Sequence, residues 1–209
     1  MNTDRLVGII MQTRGETTHT RIKSAALSAF CQSGYDAASV ADICGQAGVS
    51  KGAFYHHFPS KQALFLAIME DWLHGIDDLL FAEDYNEKKI PQQIKEMGNT
   101  MGVVFRSASG QLPMFIEFMV QASREKAVWD AVIAPYHTYH QHFTNLIEKG
   151  KMEGSILPAA NADQVAHALI SLAVGILLQG VVDPNAADWK QVTNSGVTMI
   201  LDGITRGES

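Results

Sequence analysis

The chain has 209 residues, of which 46% are hydrophobic and 18% charged, and its formal net charge is −6. This composition is ample for a buried core, and two cysteines are too few for a disulfide framework or a cysteine-based metal motif. Residues 1–61 carry six basic and four acidic side chains, a net +2, which leaves −8 for the remainder. The two cysteines favour a reduced, cytoplasmic protein. A weakly basic end and an acidic body suit a protein that contacts phosphate with one end only.

The chain begins with a segment that we predict to be a flexible arm, residues 1–15. Its short apolar run lacks a convincing signal-peptide cleavage site. The first helix is predicted from about Thr17 to Ser33, because apolar residues recur there on one helical face. Gly34 is its expected stop, since glycine readily adopts the left-handed conformation that ends many helices.

The next segment, SVADICGQAGVSKGAFYHHF, predicts two short helices joined by a tight turn. Ser39 and Ser50 are the expected N-caps of the two helices. Gly48 supplies the positive φ that the turn between them needs. Phe54 and Phe58 are spaced i and i+4, so both are expected to point into the core.

The second of these helices has a small and basic first turn, formed by Lys51, Gly52 and Ala53. Small residues allow close approach to a partner, and a helix N-terminus with a lysine favours an anion. A helix-turn-helix motif presents such N-terminal residues to the DNA major groove. The spacing alone leaves a plain helical corner within a core equally open.

Residues 16–76, and above all 34–64, closely resemble the DNA-binding domain of the tetracycline-repressor (TetR) family. The matching signature is G-Y, S-V-x-D-I, A-G-V-S-K-G-x-F-Y-x-H-F and S-K-x-x-L-F, almost without gaps. Cys44 departs from this pattern, because it stands where the family usually has alanine. The resemblance implies an all-α transcriptional regulator, usually a repressor, that binds a palindromic double-stranded DNA operator as a homodimer and is released by a small ligand.

We therefore expect a DNA-binding domain at residues 16–76, with its helix-turn-helix motif at 39–58. The candidate DNA contacts are the two caps, the exposed part of the second helix and the lysine that opens the following helix: Ser39, Ser50, Lys51, Gly52, Ala53, Tyr55, His56 and Lys61. That lysine stands at a helix N-terminus near the DNA end of the domain, which suits a phosphate contact.

Residues 77–209 are expected to form a helical ligand-binding and dimerisation domain, giving about nine helices in all. The apolar periodicity places helices near 61–79, 91–106, 125–153, 163–180 and 188–205, with another opening at Pro113. The helix at 163–180 is apolar on more than one face, but its polar residues argue against a membrane span. The resemblance implies that the last two helices form the dimer interface, with candidate residues Leu172, Gly175, Trp189 and Met199.

Aromatic and methionine side chains are abundant in the fifth to seventh predicted helices. They suit a pocket for a small organic effector, although each is also an ordinary core residue: Met97, Met101, Phe105, Phe115, Phe118, Met119, Tyr136, His140 and Phe143. His137 and His140 are spaced i and i+3 and could share a metal ion. No third ligand is visible nearby in sequence, so we expect no metal and no cofactor.

The chain contains no sequence motif of an enzyme that we recognise. G-x-G-x-x-G, the P-loop motif, G-x-S-x-G and H-E-x-x-H are all absent from the sequence. We therefore expect a regulator and not an enzyme. Two alternatives remain open from the residues: a helical small-molecule-binding protein that does not bind DNA, and an enzyme that uses the histidine-rich segment 129–143.

Overall fold

The computed structural model describes residues 3–81, 88–108 and 112–205, and within these ranges every regular element is an α-helix. Side chains of residues 3–17, 79, 81 and 101–108 are outside the described set. The predicted all-α class is confirmed. The helices are α1 (Thr3–Ala37), α2 (Val40–Ala47), α3 (Lys51–His57), α4 (Lys61–Phe81), α5 (Ile90–Ala108), α6 (Leu112–Ala122), α7 (Lys126–Met152), α8 (Ala162–Val182) and α9 (Trp189–Asp202).

The first helix is where the backbone departs most from expectation. It begins at Thr3, so residues 3–15 are helical where we predicted a flexible arm. Residues 3–15 contain no proline, which is the residue that most strongly interrupts a helix. The helix predicted from Thr17 can therefore extend back toward the N-terminus. At the predicted C-terminus, Gly34 has φ 82° and ψ 164°, a non-helical conformation that kinks α1 as the glycine signal indicated.

The chain divides into two compact units, and the division differs from the predicted boundary after residue 76. The first unit contains Met1–Trp72 together with Pro113–Arg124, and the second contains Leu73–Leu112 with Glu125–Ser209. The break therefore falls within α4, and α6 belongs to the first unit. We call these the N-terminal unit and the helical body.

Aromatic packing explains why α6 belongs to the N-terminal unit. Phe118 of α6 stacks on Phe65 of α4 with ring centroids 3.9 Å apart, and meets Tyr35 edge-on at 4.9 Å. Phe115 stacks on Trp72 at 4.8 Å. Aromatic pairs add stabilisation beyond their buried area, so α6 completes this core.

The helical body has its own core, in which α5, α7, α8 and α9 meet. Its buried members come from these helices and the α7–α8 connection: Ile90, Ile94, Ile147, Ile156, Ala162, Val165, Leu169, Val197 and Leu201. By length and composition alone α8, with a mean hydropathy of 2.1, could cross a membrane. A core helix of a soluble protein has the same properties, and Val165 and Leu169 place α8 in this core.

Candidate nucleic-acid interface

The first helix of the motif is closed by a capping box, as its sequence predicted. Ser39 has extended backbone angles, and its hydroxyl accepts from the Asp42 N–H at 3.1 Å. The Asp42 carboxylate accepts in return from the Ser39 N–H at 3.3 Å. Both side chains are thereby used to hold the helix start.

The turn between α2 and α3 depends on a left-handed glycine. Gly48 has φ 61° and ψ 43°, and the next N–H, that of Val49, donates to the Cys44 carbonyl at 3.0 Å. The Arg21 guanidinium of α1 donates to the carbonyls of Ala47 and Gly48. Cys44 is buried in α2, so its thiol packs as a small apolar group at the position usually held by alanine.

The candidate recognition helix α3 buries one face and exposes the other. The Ser50 hydroxyl accepts from the Ala53 N–H at 3.1 Å and so caps the helix. Phe54 has no exposed surface and Phe58 is also buried, as predicted. Lys51, Gly52, Tyr55 and His56 are exposed, with Tyr55 53% accessible. Ala53 is partly covered.

His57 and His19 lie at the end of α3 that is anchored to α1. The His19 ring stacks on Phe58 with centroids 4.6 Å apart and lies 6.0 Å from the His57 ring. Burial, aided by the nearby Lys23 and His57, holds the pKa of His19 below its usual value. These contacts fix the C-terminal end of α3 and leave its N-terminal turn open.

The structure gives Lys61 a role different from the predicted phosphate contact. Its ammonium donates to the carbonyls of Tyr35 at 2.8 Å, Ala38 at 3.0 Å and Asp36 at 3.2 Å. It also lies 4.5 Å above the Tyr35 ring, and burial lowers its pKa. A lysine has three N–H donors, and three carbonyls near the end of α1 lie within hydrogen-bonding distance of this one.

Glu117 of α6 holds the same stretch of chain, which we call the 34–38 connector, through its amides. The two carboxylate oxygens accept from the N–H groups of Tyr35 and Asp36, each at 3.0 Å. A Cβ on Gly34 would lie 2.7 Å from that carboxylate. The positive φ and this close approach both require glycine at position 34. Sequence reasoning missed Glu117, because its partners lie more than 80 positions away.

The predicted pocket residues that the structure describes are divided between the two units. Phe115 and Phe118 are core residues of the N-terminal unit, and Met119 is exposed. In the helical body, Met97 is buried, whereas Phe143 packs partly buried against the core of α5, α7, α8 and α9. Tyr136 and His140 lie on α7 toward α8, as their contacts with His167 indicate. The side chains of Met101 and Phe105 lie outside the described residues.

The predicted dimer residues occupy two different environments. Leu172 packs on its own chain, because a Cβ on Gly196 of α9 would lie 2.8 Å from it. Gly175 faces open space, and Met199 is 73% exposed. The Trp189 indole is partly covered and donates to the Pro184 carbonyl at 3.1 Å. Leu172 therefore contributes to the packing of α8 on α9 within one chain.

A polar cluster between α4 and α7 in the helical body was also missed. The Tyr139 hydroxyl donates to the Asp77 carboxylate at 2.6 Å and lies 3.4 Å from the Leu73 carbonyl. Burial first, then Asp77, raises the pKa of Tyr139, and burial lowers the pKa of the neighbouring His142. Half-buried polar groups of this kind orient ligands in many pockets.

Comparison with known proteins agrees with this architecture. The family model for bacterial regulatory proteins of the tetR family matches residues 22–68, and that for the C-terminal part of BetI-type transcriptional repressors matches residues 106–202. The regulator UidR of Escherichia coli (strain K12) is 29% identical over 175 residues, which cover 80% of this chain and 83% of UidR. The A-factor receptor protein of Streptomyces griseus is 25% identical over 181 residues, 85% of this chain and 60% of that protein.

The solved structure of Salmonella enterica GusR has the same fold. Its TM-score is 0.70 at 23% sequence identity, over 88% of this chain and 95% of GusR. The two family models together span the helix-turn-helix and most of the helical body. The chain belongs to the tetR family of bacterial transcriptional regulators and carries that family's DNA-binding domain.

Proposed function

We propose that this regulator is a cytoplasmic repressor, without enzymatic activity, that binds a near-palindromic operator as a homodimer and is released by a small organic effector. The observation that carries the operator part is the exposed face of α3, where Lys51, Gly52, Tyr55 and His56 are free of the core while Phe54 is fully buried. A match to a repressor C-terminal family model supports repression.

The α3 side chains divide by the chemistry they offer to DNA. The Ser39 and Ser50 hydroxyls are engaged in capping, so they position the two helices. Gly52 and Ala53 are small and permit close approach of DNA to α3. A Cβ placed on Gly52 would lie 3.8 Å from the Ser50 hydroxyl oxygen, an ordinary van der Waals distance, so packing within the chain does not require glycine there. Lys51 supplies charge for phosphate, and Tyr55 and His56 supply hydrogen-bonding tips.

The second subunit is proposed to pack on the exposed apolar face of α8 and on α9. Val174, Leu178 and Val182 are exposed and recur at helical spacing on one side of α8, and Val182 is 85% accessible. Met199 of α9 is a further exposed apolar side chain. A second copy suits the apolar face of α8 because an isologous contact lets one patch cover itself, and two copies supply the two reading heads of a palindrome.

The effector is proposed to bind in the helical body near the Asp77–Tyr139 pair. One relative is by name a receptor protein, and α4 carries Asp77 in the body and Lys61 in the N-terminal unit. A ligand that displaced the Tyr139 hydroxyl from Asp77 would remove a hydrogen bond that joins α7 to α4. Release from DNA then requires tighter ligand binding to the state that cannot bind the operator.

The operator part is tested by fluorescence anisotropy with DNA from upstream of the protein's own gene. Lys51→Ala and Tyr55→Ala should weaken binding, whereas Lys149→Ala, an exposed lysine at the end of α7, should not. Circular dichroism checks that each variant is folded. Equal affinity for all three variants and the wild type would reject α3 as the reading helix.

A further inference from the structure

One side chain of α7 and two side chains of α8 meet where α7 packs on the start of α8. His140 Nε2 lies 3.4 Å from one carboxylate oxygen of Asp163, and His167 Nε2 lies 4.0 Å from the other. The two imidazole rings are 4.1 Å apart between centroids. We call His140, Asp163 and His167 the α7–α8 cluster. One side-chain nitrogen or oxygen atom of each residue lies within 4.8 Å of the corresponding atoms of the other two.

The hydrogen bond that His167 makes outside the cluster uses Nδ1 and leaves Nε2 free to bind a metal ion. The Tyr136 hydroxyl lies 3.0 Å from His167 Nδ1. If that nitrogen carries the proton and donates to the hydroxyl, Nε2 presents a lone pair to the cluster. Metal-binding histidines almost always have such a second partner on the other nitrogen.

His140 and Asp163 also have no competing use for these atoms within the described residues. His140 Nε2 is buried and has no hydrogen-bond partner there. The N-cap of α8 is Asn161, whose side chain accepts from the Gln164 N–H at 3.1 Å. Asp163 is therefore not needed to cap the helix, and its oxygens remain directed at the two histidines.

We propose that His140, Asp163 and His167 bind a divalent transition metal ion of the Zn²⁺ class. Two imidazoles and a carboxylate are ordinary zinc ligands, and two ligands about 2.1 Å from a tetrahedral ion stand about 3.4 Å apart. The His140–Asp163 distance already has this value, and small side-chain rotations bring in His167. Three protein ligands leave one position for water or another small ligand.

His137 provides a matched control within the same helix. It is exposed and lies three residues before His140, yet it is not a member of the α7–α8 cluster. The spacing of His137 and His140 is the metal pattern visible in sequence. The structure instead pairs His140 with two residues of α8.

The test is calorimetric titration of the tag-free, full-length protein with Zn²⁺, repeated with Co²⁺. We expect one ion per chain for the wild type and for His137→Ala, and a more than about 100-fold loss of affinity for His140→Ala and His167→Ala. Tyr136→Phe should lower affinity by about 10–100-fold, as expected for an outer-sphere partner. Circular dichroism without metal verifies that each variant is folded.

Thermal unfolding gives a second readout that does not depend on operator binding. Zn²⁺ should raise the Tm of the wild type with increasing concentration, because an ion that binds only the folded state stabilises it by mass action. The doubly substituted protein, His140→Ala with His167→Ala, should show no such rise. Wild-type binding equal to that of the double variant, or equal losses in His137→Ala and His140→Ala, would overturn the proposal.

Discussion

The N-terminal unit and the helical body differ in how far their polar groups are hydrogen-bonded and their apolar side chains buried. In the N-terminal unit, the amides and carbonyls of the 34–38 connector are taken by Glu117 and Lys61, and both motif helices are capped by serines. In the helical body, Val174, Leu178 and Val182 of α8 are exposed, and a buried His140 nitrogen has no hydrogen-bond partner among described residues. The polar groups of the connector and of the motif caps are thus paired within the first unit, whereas the second unit presents exposed apolar side chains on α8.

Removing an aromatic anchor should break the N-terminal unit most severely. Phe54→Ala should cost about 3–5 kcal/mol of unfolding free energy, because it opens a cavity at a fully buried position. Tyr55→Ala, the exposed neighbour, should change stability by less than about 0.5 kcal/mol. Urea denaturation followed by circular dichroism measures both. Similar losses for the two variants would contradict the described faces of α3.

A charge on the α8 face should separate the subunits without unfolding the body. Leu178→Glu should convert a dimer into a monomer in light scattering, since a buried unpaired carboxylate at an interface costs at least about 2 kcal/mol. Met152→Glu, an exposed apolar residue on α7, is the matched control. A wild-type protein that is monomeric at micromolar concentration would exclude this interface.

Loss of the Glu117 carboxylate should loosen the 34–38 connector. Glu117→Ala leaves the Tyr35 and Asp36 amides without their acceptor, and we expect a loss of about 1–3 kcal/mol in stability. Glu125→Ala removes an exposed carboxylate that makes no capping hydrogen bond, and should be nearly neutral. Hydrogen exchange of the two amides reports the effect directly. Unchanged protection in Glu117→Ala would show that the contact does not hold the connector.

Loss of Lys51 and loss of Lys61 should affect different properties of the protein. Lys51→Ala should reduce the slope of log affinity against log salt by about 0.9, the value for one lost phosphate contact, and should leave stability unchanged. Lys61→Met should lower stability, because three carbonyls lose their donor, with little effect on the slope. If both variants showed reduced salt slopes and unchanged stability, Lys61 would be a DNA contact, as the sequence predicted.

The smallest expected effect is the pH response of His19. Its pKa in the folded chain lies below the ordinary 6.5 because of burial. As the pH falls below about 6.5, His19 is protonated first in the unfolded chain, whose pKa is the ordinary one. The contribution of neutral His19 to the free energy of unfolding is therefore fully present above about pH 6.5 and declines below it. His19→Gln should remove this part of the decline in urea midpoints measured between pH 7.5 and 5. An identical pH dependence in the variant would reject the assignment.

Much of the N-terminal unit follows from the sequence because its signals are local. The Ser39–Asp42 capping box, the Gly48 turn and the Ser50 cap each join residues at most five positions apart. The i, i+4 spacing of Phe54 and Phe58 is enough to identify the buried side of α3. Helix starts in the body were close to the predicted positions for the same reason, since Asn161 and Asp188 cap α8 and α9.

The remaining features were decided by contacts between distant parts of the chain. Nothing near Lys61 indicates that the carbonyls of residues 35, 36 and 38 will occupy its three donors. Nothing near Glu117 or His140 indicates the 34–38 connector or α8 as partners. Helical periodicity predicts which side chains face inward on one helix, but it carries no information on which other helix they meet. The tertiary packing alone therefore placed α6 in the N-terminal unit and brought the α7–α8 cluster together.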